Sequence, residues 1–279
     1  MKFLLVVFCF IVIRIAAQGT VFNSAYKGNL SIEAGLSASR YAKSDLTLSG
    51  NEFLLTFQDA EFNPINSSNS SPFSDFFKKQ YHLGLGYTVK RGVQLGLTMD
   101  NFQYELAPQV YNLNGQITPG FDQIGGLSGT YQSAAIPSDS VAFAFTAEST
   151  KQIALNLNLI QNLFRTKNRM FVVNGLYGLG LGLSHATTSA NFGSASQSSI
   201  PTMSGFGLRA HAGLRIEFFR HFYMLTDVSG AGLFQKNMRL DVSDQSQRAT
   251  QNVWAGQINL SIGTVFYLGK KSNCDCPHF

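Results

Sequence analysis

The chain has 279 residues, only 13% of them charged, and a formal net charge of +5 at pH 7. That charged share is about half the usual one for a soluble domain. The length suits one barrel or one large domain. The mild positive balance comes without any Lys/Arg run interleaved with aromatics, which excludes a nucleic-acid interface.

The first residues read as a targeting segment. Lys2 is followed by an apolar run from Phe3 to Ile13, then Arg14 and the small residues Ala16-Ala17 before Gln18. This is a signal-peptide pattern with cleavage expected near Ala17, giving a signal peptide over 1–17 and removing two positive charges. The run is too short to cross a bilayer as a helix, which needs about 20 residues, and no later stretch is longer. Cys9 lacks the small residues that precede a lipoprotein cysteine.

From Leu30 onward the chain alternates at period two. Leu30, Ile32, Ala34, Leu36 and Ala38 interleave with Ser31, Glu33, Gly35 and Ser37; Val93, Leu95, Leu97 and Met99 interleave with Gln94, Gly96, Thr98 and Asp100. Val141, Phe143 and Phe145 continue the pattern, as do Ile153, Leu155, Leu157 and Leu159 around Asn156 and Asn158. Phe171 to Leu183 sets large residues against glycine and serine. In Leu208 to Phe218 every even position is apolar, and the odd ones are Arg209, His211, Gly213, Arg215 and Glu217. Trp254, Ile258, Leu260, Ile262 and Phe266 close the series against Gln257, Asn259 and Ser261. Side chains on a strand point alternately to opposite faces, so each strand has one apolar and one polar face.

A soluble antiparallel sandwich alternates too. Here, however, the polar faces carry Gly, Ser, Asn and Gln rather than Lys and Glu, which suits a crowded lumen. Aromatics cluster at Phe218, Phe219, Phe222 and Tyr223 and at Phe266 and Tyr267, as in an interfacial girdle. In lipid only helices and closed barrels satisfy every backbone group. The expectation is an all-β, transmembrane, antiparallel up-and-down β-barrel over 18–268, with the apolar set of each strand facing lipid. About ten strands are expected, eight and twelve being the alternatives. Ten requires one long strand through Glu148 to Gln152 and a separate short one over Ala42 to Ser49.

Short connections are expected at Gly50-Asn51, Lys90-Arg91-Gly92 and Phe219-Arg220-His221. Long ones fall at Asn63 to Lys78, Pro119 to Asp139, His185 to Met203 and Asp241 to Gln251, and are placed outside the cell. A two-residue hairpin at Gly50-Asn51 sets Leu48 opposite Phe53.

Two stretches carry a resemblance. One is Ser39-Arg40-Tyr41 with Ser44-Asp45-Leu46-Thr47-Leu48-Ser49-Gly50; the other is GFGLRAHAGLRIEFFRHFYM from Gly205 to Met224, with the strand ending at Phe234. In these the chain resembles the small uncharacterised outer-membrane β-barrel proteins of Bacteroidota. The resemblance implies an outer-membrane location and a barrel, and no catalytic or binding residue.

The chemistry-bearing residues are few. Ser184-His185 is the only pair that suggests a rim esterase or other lipid-modifying enzyme, and adjacency alone does not make nucleophile and base meet. Arg209, His211, Arg215 and Glu217 form a lumen charge cluster that needs carboxylate partners, for which Asp227, Glu148 and Glu33 are the candidates. Such a cluster either plugs a narrow barrel or forms an anion-favouring constriction in a small-molecule channel. At this strand number side chains fill the interior, which argues against a general pore.

Cys274, Cys276 and His278 stand in a tail over 269–279, too closely spaced for a standard zinc site. No metal or cofactor is expected, and the cysteines are read as a contact point for a periplasmic or envelope protein. Phe279 ends the chain some distance past the last strand. Together these readings give a non-enzymatic outer-membrane barrel with a structural or binding role through its external loops or tail, in contact with outer-membrane lipid and lipopolysaccharide.

Overall fold

The alternating segments form strands in the computed structural model, which describes residues 27–65, 80–119, 129–137, 143–167, 170–192, 195–198, 201–219, 221–242 and 244–268. In chain order these are β1 (Asn29–Tyr41), β2 (Ser44–Ser49), β3 (Phe53–Ala60), β4 (Phe62–Pro64) and β5 (Tyr81–Lys90). Then follow β6 (Val93–Leu106), β7 (Val110–Ile117), β8 (Gly129–Pro137), β9 (Phe143–Arg165) and β10 (Phe171–Phe192). The last are β11 (Ala195–Ser198), β12 (Thr202–Phe218), β13 (Phe222–Arg239) and β14 (Arg248–Tyr267). The signal-peptide and tail readings, with Cys274, Cys276 and His278, lie outside the described residues.

All pairings are antiparallel, and a ring closes through β1, β5, β6, β9, β10, β12, β13 and β14. The closing pair runs the whole length of β1, from Asn29 opposite Tyr267 to Tyr41 opposite Ala255. The ring therefore has eight strands, at the lower end of the sequence-based range. The Glu148 to Gln152 stretch does run through one long strand, β9. The segment Ala42 to Ser49 adds no strand to the wall, because β2 continues β1 along the same neighbour, pairing Arg248 to Gln251 of β14.

Above the ring, β3 pairs with β2, β7 with β3 and β8 with β7, so that a four-stranded flap extends from β14. The β2–β3 hairpin thus sits at the end with the long connections. Its closing bond is from Gly50 N to Phe53 O, which makes Asn51-Glu52 the loop. Leu48 accordingly faces Leu55, not Phe53. The segment His185 to Met203 is mostly strand, with β10 running on to Phe192 and β11 folding back on it.

The two halves of the barrel have opposite polarity. In the half holding the chain ends of the ring, outward side chains are apolar: Leu95, Leu97, Leu155, Leu157, Leu179, Leu181, Ile258, Leu260 and Ile262 are all exposed. Inward ones are mostly polar, as with Asn156, Asn158, Gln257 and Asn259, all buried, with a small apolar cluster of Ile160, Leu176, Tyr223, Leu225 and Val265 toward the chain-end rim. Farther along, the faces exchange. Phe102, Tyr104, Phe143, Phe145, Leu233 and Val253 point inward and join Leu46, Leu55, Phe57 and Leu113 of the flap in one apolar core. Outward positions there are mostly polar, among them Glu105, Glu148 and Lys236, with Leu54, Val110 and Met203 as exposed apolar exceptions.

The exchange has two local causes. Along β6 the parity never changes, but the apolar residues move from the odd set ending at Met99 to the even set beginning at Phe102. On β9 a β-bulge does it: Thr187 opposes Ser149 and Thr188 opposes Ala147, leaving Glu148 as the extra residue. An extra residue reverses the face of everything beyond it. Phe143 and Phe145 are therefore core residues rather than lipid-facing ones. At about 3.3 Å per residue and a tilt near 40°, the 23 residues of β9 rise to about twice the apolar band of a spanning barrel, ~25 Å.

Tyr104 joins the two halves of this inner surface. Its hydroxyl lies 3.2 Å from both Gln235 Oε1 and Gln251 Oε1, and it donates to one at a time. Tyr104→Phe is expected to lose about 1 kcal/mol in urea titration of the folded barrel, the net worth of a buried hydrogen bond. Tyr104→Ala is expected to lose about 3–5 kcal/mol, the range for emptying an aromatic site in a core.

Candidate functional site

The lumen of the polar half is the only place where the described residues gather ionisable groups in number, and β12 supplies its centre. Arg209, His211, Arg215 and Glu217 all point inward and are buried, as their odd positions on β12 require. Arg209 is the hub. Its Nη1 donates to Asp100 Oδ2 on β6, and its Nη2 donates to Asp227 Oδ1 on β13 at 3.3 Å. A guanidinium holds several donors in a fixed plane, which lets one side chain clamp two carboxylates on separate strands.

From this hub the network runs across the barrel. Asp100 Oδ1 lies 2.7 Å from His82 Nδ1, and His82 Nε2 lies 3.3 Å from Glu33 Oε1 on β1. The Tyr223 hydroxyl donates to Glu33 Oε2 at 2.8 Å, and Asn259 Nδ2 to Asp227 Oδ1 at 2.9 Å. Farther toward the chain-end rim, Arg215 Nε lies 3.1 Å from Glu217 Oε1 as an ion pair. Asn174 Nδ2 donates to that same carboxylate oxygen at 2.9 Å. The Arg215 guanidinium also stacks 4.0 Å from the centre of the Tyr223 ring.

Room for these groups comes from inward glycines. A β-carbon on Gly178 would stand 2.3 Å from His211 Cε1, and one on Gly84 would stand 2.5 Å from Glu33 Oε1. The glycine-rich strand β10 is thus a space-maker for lumen side chains.

Of the three partners named for the cluster, Asp227 pairs with Arg209, while Glu33 serves His82 and Tyr223 rather than an arginine. Glu148 takes no part, because the bulge turns it outward. Asp100 and His82 are the partners that sequence reasoning left out. Asp100 was legible as a lumen position from its even parity, but nothing local links it to a residue 109 positions away. Tyr223, grouped with the girdle aromatics, is a lumen residue.

One cavity of about 20 Å³ remains among these side chains, lined by Glu33, His82, Asn158, Arg209, His211 and Asp227 among others. That is room for about one water. Asn158 Oδ1, His211 Nδ1 and Arg209 Nε lack hydrogen-bond partners there. The lumen is closed at this level by paired charges, and closed again above by the apolar core.

Ser184 and His185 are not brought together. Ser184 faces inward and is fully buried, whereas His185 is on the outward face beside Lys151 of β9. Neighbours on a strand point apart, so the two side chains do not meet. Among the described residues no group of three His, Cys, Asp or Glu side chains is arranged to hold a metal ion.

No family model and no curated protein matches the chain. Among solved structures it is similar to the outer membrane protein AlkL in DMPC bilayers, at 12% identity over 90% of this chain and 96% of that one, with a TM-score of 0.41. It is also similar to Neisserial surface protein A, at 10% identity over 86% and 100% of the two chains and a TM-score of 0.39. A third is Ail, the attachment invasion locus protein of Yersinia pestis, at 15% identity over 86% and 99% and a TM-score of 0.35. The fold itself rests on the closed register of this chain: an eight-stranded antiparallel β-barrel with an apolar outer band and a plugged lumen.

Proposed function

We propose that the protein is an exported outer-membrane β-barrel that conducts nothing and catalyses nothing, and that holds a rigid extracellular β-structure for binding. The exchange of polarity along the strands carries this reading. An apolar outside around a polar, ion-paired inside suits lipid. A polar outside around an apolar core suits water. A wall that changes from one to the other suits a chain that crosses a bilayer and continues beyond it.

The double closure of the lumen supports a scaffold over a channel. The separation of Ser184 from His185 leaves the enzyme reading without a constellation. Contact with the surrounding lipid and lipopolysaccharide, a periplasmic partner at Cys274 and Cys276, and a source among the Bacteroidota belong to the same proposal.

The test is direct. The refolded protein should migrate differently before and after boiling, resist protease in detergent, and give no conductance steps in planar bilayers. A purified chain that stays soluble without detergent would end the membrane reading. Discrete conductance steps would end the closed-lumen reading while leaving the barrel intact.

A further inference from the structure

Among the described residues, the exposed charges on the rim that carries the ends of the ring are of one sign. Lys27, Lys90 and Lys167 are exposed there, with Arg165 half-buried beside them. Among the described residues the only carboxylate near this rim is Glu217, which faces inward and is committed to Arg215 and Asn174. The opposite rim is mixed: Lys151 and Lys236 share it with Glu105 and Glu148, and Lys43 is paired to Glu61 at 3.2 Å.

The rim is also a continuous edge. Gly28 N bonds Thr88 O, Ile160 N bonds Gly92 O, Phe219 N bonds Met170 O, and Val265 N bonds His221 O, at 2.7–2.9 Å. These backbone bonds tie the turns that hold the cations into one collar. Arg165 keeps Nη1 enclosed and without a hydrogen-bond partner. Next to the collar, on the band side, lies an aromatic layer. Phe171 packs against Phe164 and Phe218 with centroids 6.4 and 5.6 Å away, and Phe219 and Phe222 are exposed.

We infer that this collar binds the phosphate headgroups of acidic phospholipids in the leaflet on its side. The reading rests on the membrane barrel proposed above. The band and aromatic layer set the depth of the collar at the headgroups of that leaflet, and an arc of exposed lysines along β1, β5–β6 and β9–β10 complements a phosphodiester. Each cation held against an acidic lipid surface is worth on the order of fivefold in affinity. The attraction is screened by salt, over about 8 Å at physiological ionic strength.

The full chain would be reconstituted into phosphatidylcholine vesicles, and into vesicles in which phosphatidylglycerol replaces a third of that lipid. Spin-labelled lipids of both headgroups then report which contacts the barrel. Wild type should select phosphatidylglycerol several-fold at low salt and lose the preference as salt rises. Lys27→Gln/Lys90→Gln/Lys167→Gln should lose it at low salt, whereas Lys151→Gln/Lys236→Gln should keep it. Equal association of both lipids with wild type, a salt-independent preference, or full selectivity in the triple variant would overturn the inference. Failure of wild type to form a heat-modifiable barrel in either vesicle would instead overturn the barrel reading.

Discussion

Arg209→Met is expected to cost about 3–5 kcal/mol of folding stability, the range found when one member of a buried ion pair is removed. The size follows from its two partners. Without the guanidinium, Asp100 and Asp227 face the same space with no cation between them, and both are fully enclosed. Methionine fills a similar volume, so the loss reports charge rather than a cavity. Asp227→Asn in the same chain removes one of the stranded carboxylates and should recover part of the loss. The double-mutant coupling should fall within about 0.5–3 kcal/mol, as for residues in one network. Urea titration of the barrel in vesicles measures both. A single variant within about 1 kcal/mol of wild type would mean the pairs do not hold the strands together.

The second large effect tests the polarity exchange on one strand. Leu157 stands in the middle of the outward apolar run of β9, beside Leu95 and Leu179, and is half exposed to the surroundings of the barrel. Leu157→Arg should cost about 2–4 kcal/mol, the value for arginine on the lipid face near a bilayer midplane. Thr146 also faces outward on β9, but beyond the bulge, where Glu105 of β6 is its neighbour. Thr146→Arg should change stability by no more than about 0.5 kcal/mol. The same substitution on the same face of one strand thus gives two results, separated by Glu148. Equal costs at both positions would place both in one environment and remove the boundary.

Much of the wall was legible in the sequence. Parity alone assigned Arg209, His211, Arg215 and Glu217 to the lumen, because on a strand one known side fixes all the others. Strand count was less legible: β2 and β3 alternate as regularly as wall strands, and periodicity does not say which strand is the neighbour. The inversion was written in β6, where the apolar set slips from Met99 to Phe102 with no turn between. A rule that every apolar face meets lipid hid it. The bulge on β9 has no sequence marker of its own, so Glu148 was given a lumen role that its parity below the bulge could not settle. The Asp100–Arg209 and His82–Glu33 pairs depend on register across several strands, which only the closed ring supplies.

In the bilayer proposed above, the exchange of faces would also have a mechanical consequence, acting as a depth gauge. Sliding the barrel outward by two residues per strand, roughly 5 Å of height at a 40° tilt, would lift Ile153 and Leu183 into water. Sliding it inward by as much would drag Lys151 and Lys236 into hydrocarbon. Both displacements are opposed around the whole circumference, so the molecule has one draught in a given bilayer. In the proposed bilayer setting, the flap built on β2, β3, β7 and β8 would therefore be carried at a set altitude above the lipid, and its outermost strand would meet the medium at constant reach.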